Sequence, residues 1–266
     1  MNFSGLFRSD EELLGKAVVI SGCDSGFGRA TALQLQTLGF VVYAGCYSDA
    51  GIDSLVFDAA KEKPGSINAL KLDVTSDTSV DEFLAKVTEL APQGVFCVIS
   101  NAGIGLSGFI EIQSLAAHRS VMEVNYFGTL RMLRAFSPLL RLYARNLRHS
   151  SNFNSPSPRF ITISSLASKT SAPLMAAYCA SKHAVRALTD VARVELNQFG
   201  IQVTQIEPFF AKTPIVLTDR ADYLSNDYNA SSEEIKAAYK QITPEEYRIQ
   251  TAAGLNNWFV MEQRQV

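Results

Sequence analysis

Short, nearly continuous apolar runs alternate with longer amphipathic stretches along most of this chain, and no other feature of the sequence constrains the fold as much. The runs at 17–21, 41–45, 67–73, 95–100, 160–164 and 202–206 are rich in Val, Ile, Ala and Phe. A strand with one wet face alternates polar and apolar residues, so runs like these predict strands covered by helices on both faces. Between them, 26–38, 77–90, 114–147 and 175–198 carry apolar residues at three- and four-residue spacing, the pattern of helices with one buried stripe. Asp77 and Ser114 are candidate N-caps. The alternation predicts an α/β fold, a doubly wound parallel sheet with right-handed crossovers, whose ligands bind beyond the carboxyl ends of the strands. A length of 266 residues suits one domain spanning 1–266. Residues 146–159, rich in Ser, Asn and Pro, read as an exposed loop, and Ser232 with Glu residues after it opens a further helix over 232–241.

Composition excludes several classes. With 47% hydrophobic and 19% charged residues the chain is an ordinary globular one, and a net charge of −2 with scattered Lys and Arg gives no footprint for nucleic acid. Cys23, Cys46, Cys97 and Cys179 lie in apolar or small-residue segments without CxxC pairing or nearby His, which predicts reduced, buried thiols and no metal site. No window approaches the roughly 18 apolar residues of a membrane span, and residues 1–16 carry Asp10, Glu11 and Glu12 rather than a signal pattern. A cytoplasmic location is the expectation that follows.

After the first strand comes Ser21-Gly22-Cys23-Asp24-Ser25-Gly26-Phe27-Gly28, and a helical pattern begins at once. Glycines permit a tight turn and let the backbone approach a pyrophosphate, while a helix N-terminus offers free N–H groups and partial positive charge. A phosphate-loop NTPase would need Gly-Lys-Ser/Thr, whereas Arg29-Ala30-Thr31 follow Gly28 here. Further along, Tyr178 and Lys182 stand four apart in a helical pattern and share a face. An ammonium beside a phenol favours phenolate, which predicts a group that exchanges protons near neutral pH. The strand at 160–164 ends in Ser164-Ser165, placing a hydroxyl at the edge where ligands bind.

Taken together, Gly22, Gly26 and Gly28, the run Asn101-Ala102-Gly103, Asn125, Ser165 and the Tyr178/Lys182 pair resemble, in order and spacing, the short-chain dehydrogenase/reductases over roughly residues 16–215. The glycine turn, Tyr43-Ala44-Gly45-Cys46 and Glu207-Pro208 are similar to the retinol, hydroxysteroid and 3-hydroxybutyrate dehydrogenase branch. The resemblance implies a Rossmann-like fold and NAD(P)-dependent oxidoreduction of an alcohol to a ketone or aldehyde. In that scheme Tyr178 is the acid/base, Lys182 lowers its pKa and holds the nicotinamide ribose, Ser165 orients the substrate oxygen and Asn125 anchors a water relay. It also implies that Gly22, Asp24, Ser25, Gly26, Phe27, Gly28, Cys46, Asp73, Val74, Asn101, Ala102, Gly103, Tyr178, Lys182, Pro208 and Thr213 line the cofactor cleft. Asp73 and Val74 would lie against adenine, and Thr213 would reach the carboxamide. His118, His149 and His183 match no family role and read as solvated or structural.

Phe209 stands where the family has glycine after Pro208, and the family's seventh strand is not recognisable in 242–266. These departures keep a second reading in play, a catalytically impaired relative that binds cofactor or partners, and they predict an exposed sixth strand, a loosened substrate lid over 216–266 and altered self-association. Residues Cys46, Tyr47, Ser48 and Asp49 after the second strand include no cation for a 2′-phosphate, and Asp24 and Asp49 would repel one, so NAD is expected to bind more tightly than NADP. Leu174, Met175, Phe209 and Phe210 predict an apolar pocket for a small lipophilic alcohol or ketone of retinoid or steroid type.

Overall fold

The structure is a computed structural model and describes residues 13–59, 65–149, 156–209 and 221–239. Six parallel strands form its sheet: β1 (Ala17–Ser21), β2 (Val41–Cys46), β3 (Ser66–Lys71), β4 (Cys97–Ser100), β5 (Arg159–Ile163) and β6 (Gln202–Ile206), in the order β3-β2-β1-β4-β5-β6. From β1 the chain winds outward through β2 and β3, then crosses back to build β4, β5 and β6 on the other side. The doubly wound expectation holds, and the reversal between β1 and β4 opens a crevice at their carboxyl ends.

The apolar runs of β1, β2 and β4 are buried on both faces, while the edge strands β3 and β6 are only partly buried. Val18, Ile20, Val42, Ala44 and Ile99 pack with Leu55 and Ala32 on one side; Val19, Val98, Phe160 and Val203 pack with Phe83, Met132, Phe136 and Leu140 on the other. The first face is covered by α1 (Gly26–Thr37) and α2 (Asp49–Ala59), the second by α3 (Asp77–Leu90), α5 (Gly128–His149) and α6 (Ala176–Asn197). Helix α2 was not legible in the sequence. Its buried stripe is only Gly51, Leu55 and Ala59, too thin to register as amphipathic, and the turn that leads into it is held by a carboxylate from a distant residue, as described below.

Other boundaries moved by a few residues. Ser76, not Asp77, caps α3, its hydroxyl accepting from the Ser79 N–H at 3.2 Å. The stretch expected as one helix over 114–147 is α4 (Leu115–Met122), capped by Ser114, then a π-helical segment (Glu123–Phe127), then α5, which runs on through His149 into what reads as loop. Residues 150–155 of that loop lie outside the described residues. The C-terminal part contributes α7 (Ala221–Ala230), which was not expected, and α8 (Glu233–Ala238), capped by Ser232 as expected but shorter. Tyr228 packs against Ile112, the Phe109 and Tyr239 rings stand 4.7 Å apart, and Asp227 accepts from the Ser114 N–H at 3.0 Å. An apolar cluster and a hydrogen bond thus tie α7 and α8 to the segment Phe109–Ser114. The seventh-strand question falls on residues 240–266, outside the described residues.

Candidate active site

The crevice is built around the glycine turn. Gly22 and Gly26 adopt φ of +74° and +58°, a region that strains other residues. A Cβ on Gly28 would collide with the Gly22 carbonyl, and one on Gly22 would stand 2.8 Å from the Ala102 Cα. The turn is pinned from β4: Asn101 Nδ2 donates to the Ser21 and Gly22 carbonyls at 2.9 and 3.0 Å, while Ser21 Oγ accepts the N–H groups of Asn101 and Ala102 at 3.0 and 3.1 Å. Ser25, the N-cap of α1, makes no side-chain cap bond, and the first turn holds no acidic residue. The N-terminus of α1 thus keeps free donors and a positive end toward the crevice, an arrangement that fits the pyrophosphate of a dinucleotide.

At the second strand, Asp24 does something its sequence position does not announce. Its carboxylate accepts the Tyr47 N–H at 2.7 Å, the Ser48 N–H at 2.8 Å and the Ser48 hydroxyl at 2.7 Å, and so fixes the turn beside Cys46 in which Ser48 Oγ caps α2 by accepting the Gly51 N–H at 2.9 Å. Two cations overlooked in the local reading stand nearby, and both are engaged. Lys71 pairs with Asp49 at 2.8 Å, and Arg29 with Asp58 at 2.6 Å. Asp73 accepts from the Thr75 N–H and hydroxyl at 2.9 and 2.7 Å, and Val74 is buried against Gly128.

The proton-handling groups converge at the end of β5. Tyr178 lies close to Ser165, whose hydroxyl favours the phenolate and which opens the short 3-10 turn Leu166–Ser168. Lys182 is buried beneath it, with Nζ 5.6 Å from the Tyr178 ring centre and donating to the Ile163 carbonyl at 3.0 Å. Burial pushes the Tyr178 phenol above its usual value, the Ser165 hydroxyl pulling the other way. Lys182 does not itself produce the expected depression. Its own ammonium is desolvated and lowered to about 8. Between that value and the unfolded 10.5 the unfolded chain binds more protons, so the penalty of burying the charge is full below pH about 8 and is relieved as pH rises. The stability advantage of Lys182→Met over wild type should therefore be larger at neutral pH than near pH ~10, read by thermal melts at both; an advantage that does not shrink as pH rises would mean Lys182 is not a desolvated ammonium.

Asn125 lies in the π-helical segment and is 1% exposed. Its side chain is fully engaged: Oδ1 accepts from the Ile104 N–H at 2.8 Å, and Nδ2 donates to the Ile104 carbonyl at 3.0 Å and the Ser181 hydroxyl at 2.9 Å. Ser181, missed in the sequence although it lies inside the Tyr178/Lys182 segment, passes the bond on to the Tyr178 carbonyl at 2.7 Å. Gly103 sits against Asn125 and Lys182. Pro208 accepts from the Leu166 N–H at 3.1 Å, and Thr213 lies outside the described residues. Phe209 is 56% exposed and is not among the residues of positive φ, so the backbone there does not demand glycine. Leu174 alone among the described non-glycine residues has positive φ, +68°, its carbonyl accepting the Gly108 N–H at 2.8 Å across the cleft. All four cysteines are free and buried. No helix among the described residues is long and apolar enough to cross a membrane.

A glycine turn at the sheet reversal, with a Ser, Tyr and Lys group one crossover away, is the arrangement of a dinucleotide-dependent dehydrogenase. Residues 16–224 match the family model "short chain dehydrogenase", and the chain belongs to that family. It is 32% identical over 211 residues to the mitochondrial D-beta-hydroxybutyrate dehydrogenase of Rattus norvegicus, covering 77% of this chain and 58% of that protein. It is also 32% identical over 214 residues to estradiol 17-beta-dehydrogenase 2 of Mus musculus, covering 78% of this chain and 52% of the relative. The match thus spans little more than half the length of these relatives. Among solved structures, a short-chain dehydrogenase/reductase from Burkholderia phymatum in complex with NAD superposes with a TM-score of 0.69 at 25% identity, over 84% of this chain and 73% of that one. An alcohol dehydrogenase from Thermococcus sibiricus complexed with 5-hydroxy-NADP gives 0.66 at 27% identity, over 75% and 78%.

Proposed function

We propose that this protein interconverts a lipophilic secondary alcohol and its ketone with NAD(H) as the preferred cofactor and Tyr178 as the acid/base. The observation that carries the reading is the buried Lys182 against the Tyr178 ring, bound to the Ile163 carbonyl at the carboxyl edge of β5, where Ser165 opens the following turn. When bound, a nicotinamide would take or supply the hydride. The chain's own part is to hold the substrate oxygen between the Ser165 and Tyr178 hydroxyls, so that the Tyr178 oxygen takes the alcohol proton in oxidation and returns it in reduction. Lys182, buried against the Tyr178 ring, completes the group and would hold the ribose of a bound nicotinamide nucleotide. Leu174 and Met175, both half-buried at the start of α6, and the docked hairpin α7–α8 supply apolar surface beside it. Relatives named for 3-hydroxybutyrate and for estradiol support a secondary alcohol as the substrate class.

A fluorescence titration with NADH, followed by absorbance assays with estradiol and D-3-hydroxybutyrate, tests this reading. Saturable NADH binding and turnover of the steroid in preference to the hydroxy acid are expected. Absence of NADH binding would sink it, and turnover of the hydroxy acid alone would sink the lipophilic assignment.

The preference for NAD is ascribed to Asp24. Its carboxylate already takes the Tyr47 and Ser48 N–H groups just after β2, donors that could otherwise receive a cofactor 2′-phosphate. Asp24→Ser, which keeps a short oxygen but frees those N–H groups, should move the NADPH/NADH affinity ratio toward NADPH by about tenfold, or ~1.4 kcal/mol. An unchanged ratio in a direct titration would remove Asp24 from that role.

A further inference from the structure

Glu207 follows β6 directly, and nothing in the proposed chemistry uses it. Yet its carboxylate is the hub of a polar cluster at the turn that carries Ser165. One oxygen accepts the Ser168 hydroxyl at 2.9 Å and the Gln205 amide at 2.7 Å; the other meets the Lys169 ammonium. Ser168 is 1% exposed and Glu207 is half-buried, so this is an interior clamp with one solvent-facing partner, Lys169. Backbone bonds flank it on both sides: the Ser164 N–H donates to the Ile206 carbonyl at 2.8 Å, and the Leu166 N–H to the Pro208 carbonyl at 3.1 Å. Ser165 therefore lies between two rungs to the strand that holds Glu207, and the turn after it is gripped by the Glu207 side chain.

What this grip controls is the placement of one hydroxyl. The Ser165 side chain accepts from the Ala167 N–H at 3.2 Å within its own turn, and its hydroxyl acts on the Tyr178 phenol in the direction of phenolate. A turn of three residues has little hydrogen bonding of its own to fix its orientation. Without the clamp, the side chains of Ser168 and Lys169 lose their common acceptor, and the turn is tied to β6 by the two backbone rungs alone. We propose that Glu207 is a positioning residue for the reaction, holding the Ser165 turn against β6 so that the Ser165 hydroxyl meets the Tyr178 phenol. The proposal rests on the dehydrogenase reading for its effect on turnover, but its structural content can be read without turnover.

The test is the titration of Tyr178 itself, followed by NMR of tyrosines labelled at Cζ and assigned with Tyr178→Phe. Because the Ser165 hydroxyl favours the phenolate, displacing Ser165 in Glu207→Ala should move the Tyr178 titration upward by at least about half a pH unit. Glu207→Gln retains an oxygen for Ser168 and should restore most of the wild-type position. In turnover assays Glu207→Ala should lower kcat about tenfold while the NADH dissociation constant changes less than about twofold, a split that general loosening would not give. A folded Glu207→Ala protein whose Tyr178 titrates as in wild type overturns the proposal, whatever its melting temperature. If Glu207→Ala does not fold, Ser168→Ala, which removes one arm of the clamp, decides the matter by the same titration: an upward movement supports the proposal and none overturns it. Wild type without turnover would sink the dehydrogenase reading alone and leave this measurement standing.

Discussion

Replacing Tyr178 with Phe should lower turnover of any working substrate by about 1,000-fold while leaving NADH affinity within about twofold of wild type. The substitution removes one oxygen and keeps the ring, so the packing of the ring and the contact with Lys182, 5.6 Å from its centre, survive. Only the transferable proton and the phenol's interaction with Ser165 are lost. The Ser165 hydroxyl stays in its turn, still accepting from the Ala167 N–H, and the glycine turn and Asn101 that form the cofactor side of the crevice are untouched. General acid/base groups contribute 100- to 10,000-fold as an order of magnitude, which sets the size of the expected loss. Steady-state assays with a fluorescence titration on the same preparation check it. Retention of most of kcat would mean that the proton travels by another route and that Tyr178 is not the acid/base.

The parts of this protein that were legible in its sequence are those whose reasons are local. Unbroken apolar runs could only be strands buried on both faces, and the register of β1 with β2 and β4 puts Ser21, Gly45 and Ile99 near the crevice as the pattern required. The glycine turn was legible because positive φ at Gly22 and Gly26 is a property of the residue type. What was not legible depends on partners far along the chain. The Tyr47–Ser48 turn from which Ser48 caps α2 is held by Asp24 from the glycine turn, with sequence separations of 23 and 24 residues, and no pattern within 49–59 announces that. Asp24 itself read as a charge that repels phosphate; the structure shows it bound to the Tyr47 and Ser48 N–H groups. Lys71 escaped notice as a neighbour of the second strand's end because only the pairing of β2 with β3 brings it beside Cys46. The clamp on Ser165 joins residues from either side of α6, and in the sequence Glu207 served only as a family mark. Ser181 lay in plain sight but has two partners, Asn125 and the Tyr178 carbonyl, that periodicity does not reveal.

The structure gives Asn125 a bracing role beside the water relay that the resemblance implies, and Asn125→Ala should separate the two. As the anchor of a water relay, its loss would slow proton movement and leave stability nearly unchanged. As the structure has it, the side chain satisfies both backbone groups of Ile104 and the Ser181 hydroxyl inside a nearly dry interior. Alanine would leave the Ile104 N–H and carbonyl without these partners and open a small void. Each unsatisfied buried group costs about 1–3 kcal/mol, so a total of about 3–4 kcal/mol is expected after relaxation. For a domain of this size that corresponds to a fall of roughly 10 °C in Tm. Turnover should fall as well, because Ile104 continues the Asn101–Gly103 wall of the crevice and Ser181 holds the Tyr178 backbone, but it should fall together with Tm. Calorimetry or a fluorescence melt beside a kcat measurement reads both. A variant that melts within about 2 °C of wild type but has lost its turnover would show that Asn125 acts on the chemistry rather than as a brace between the π-helical segment, the crevice wall and α6.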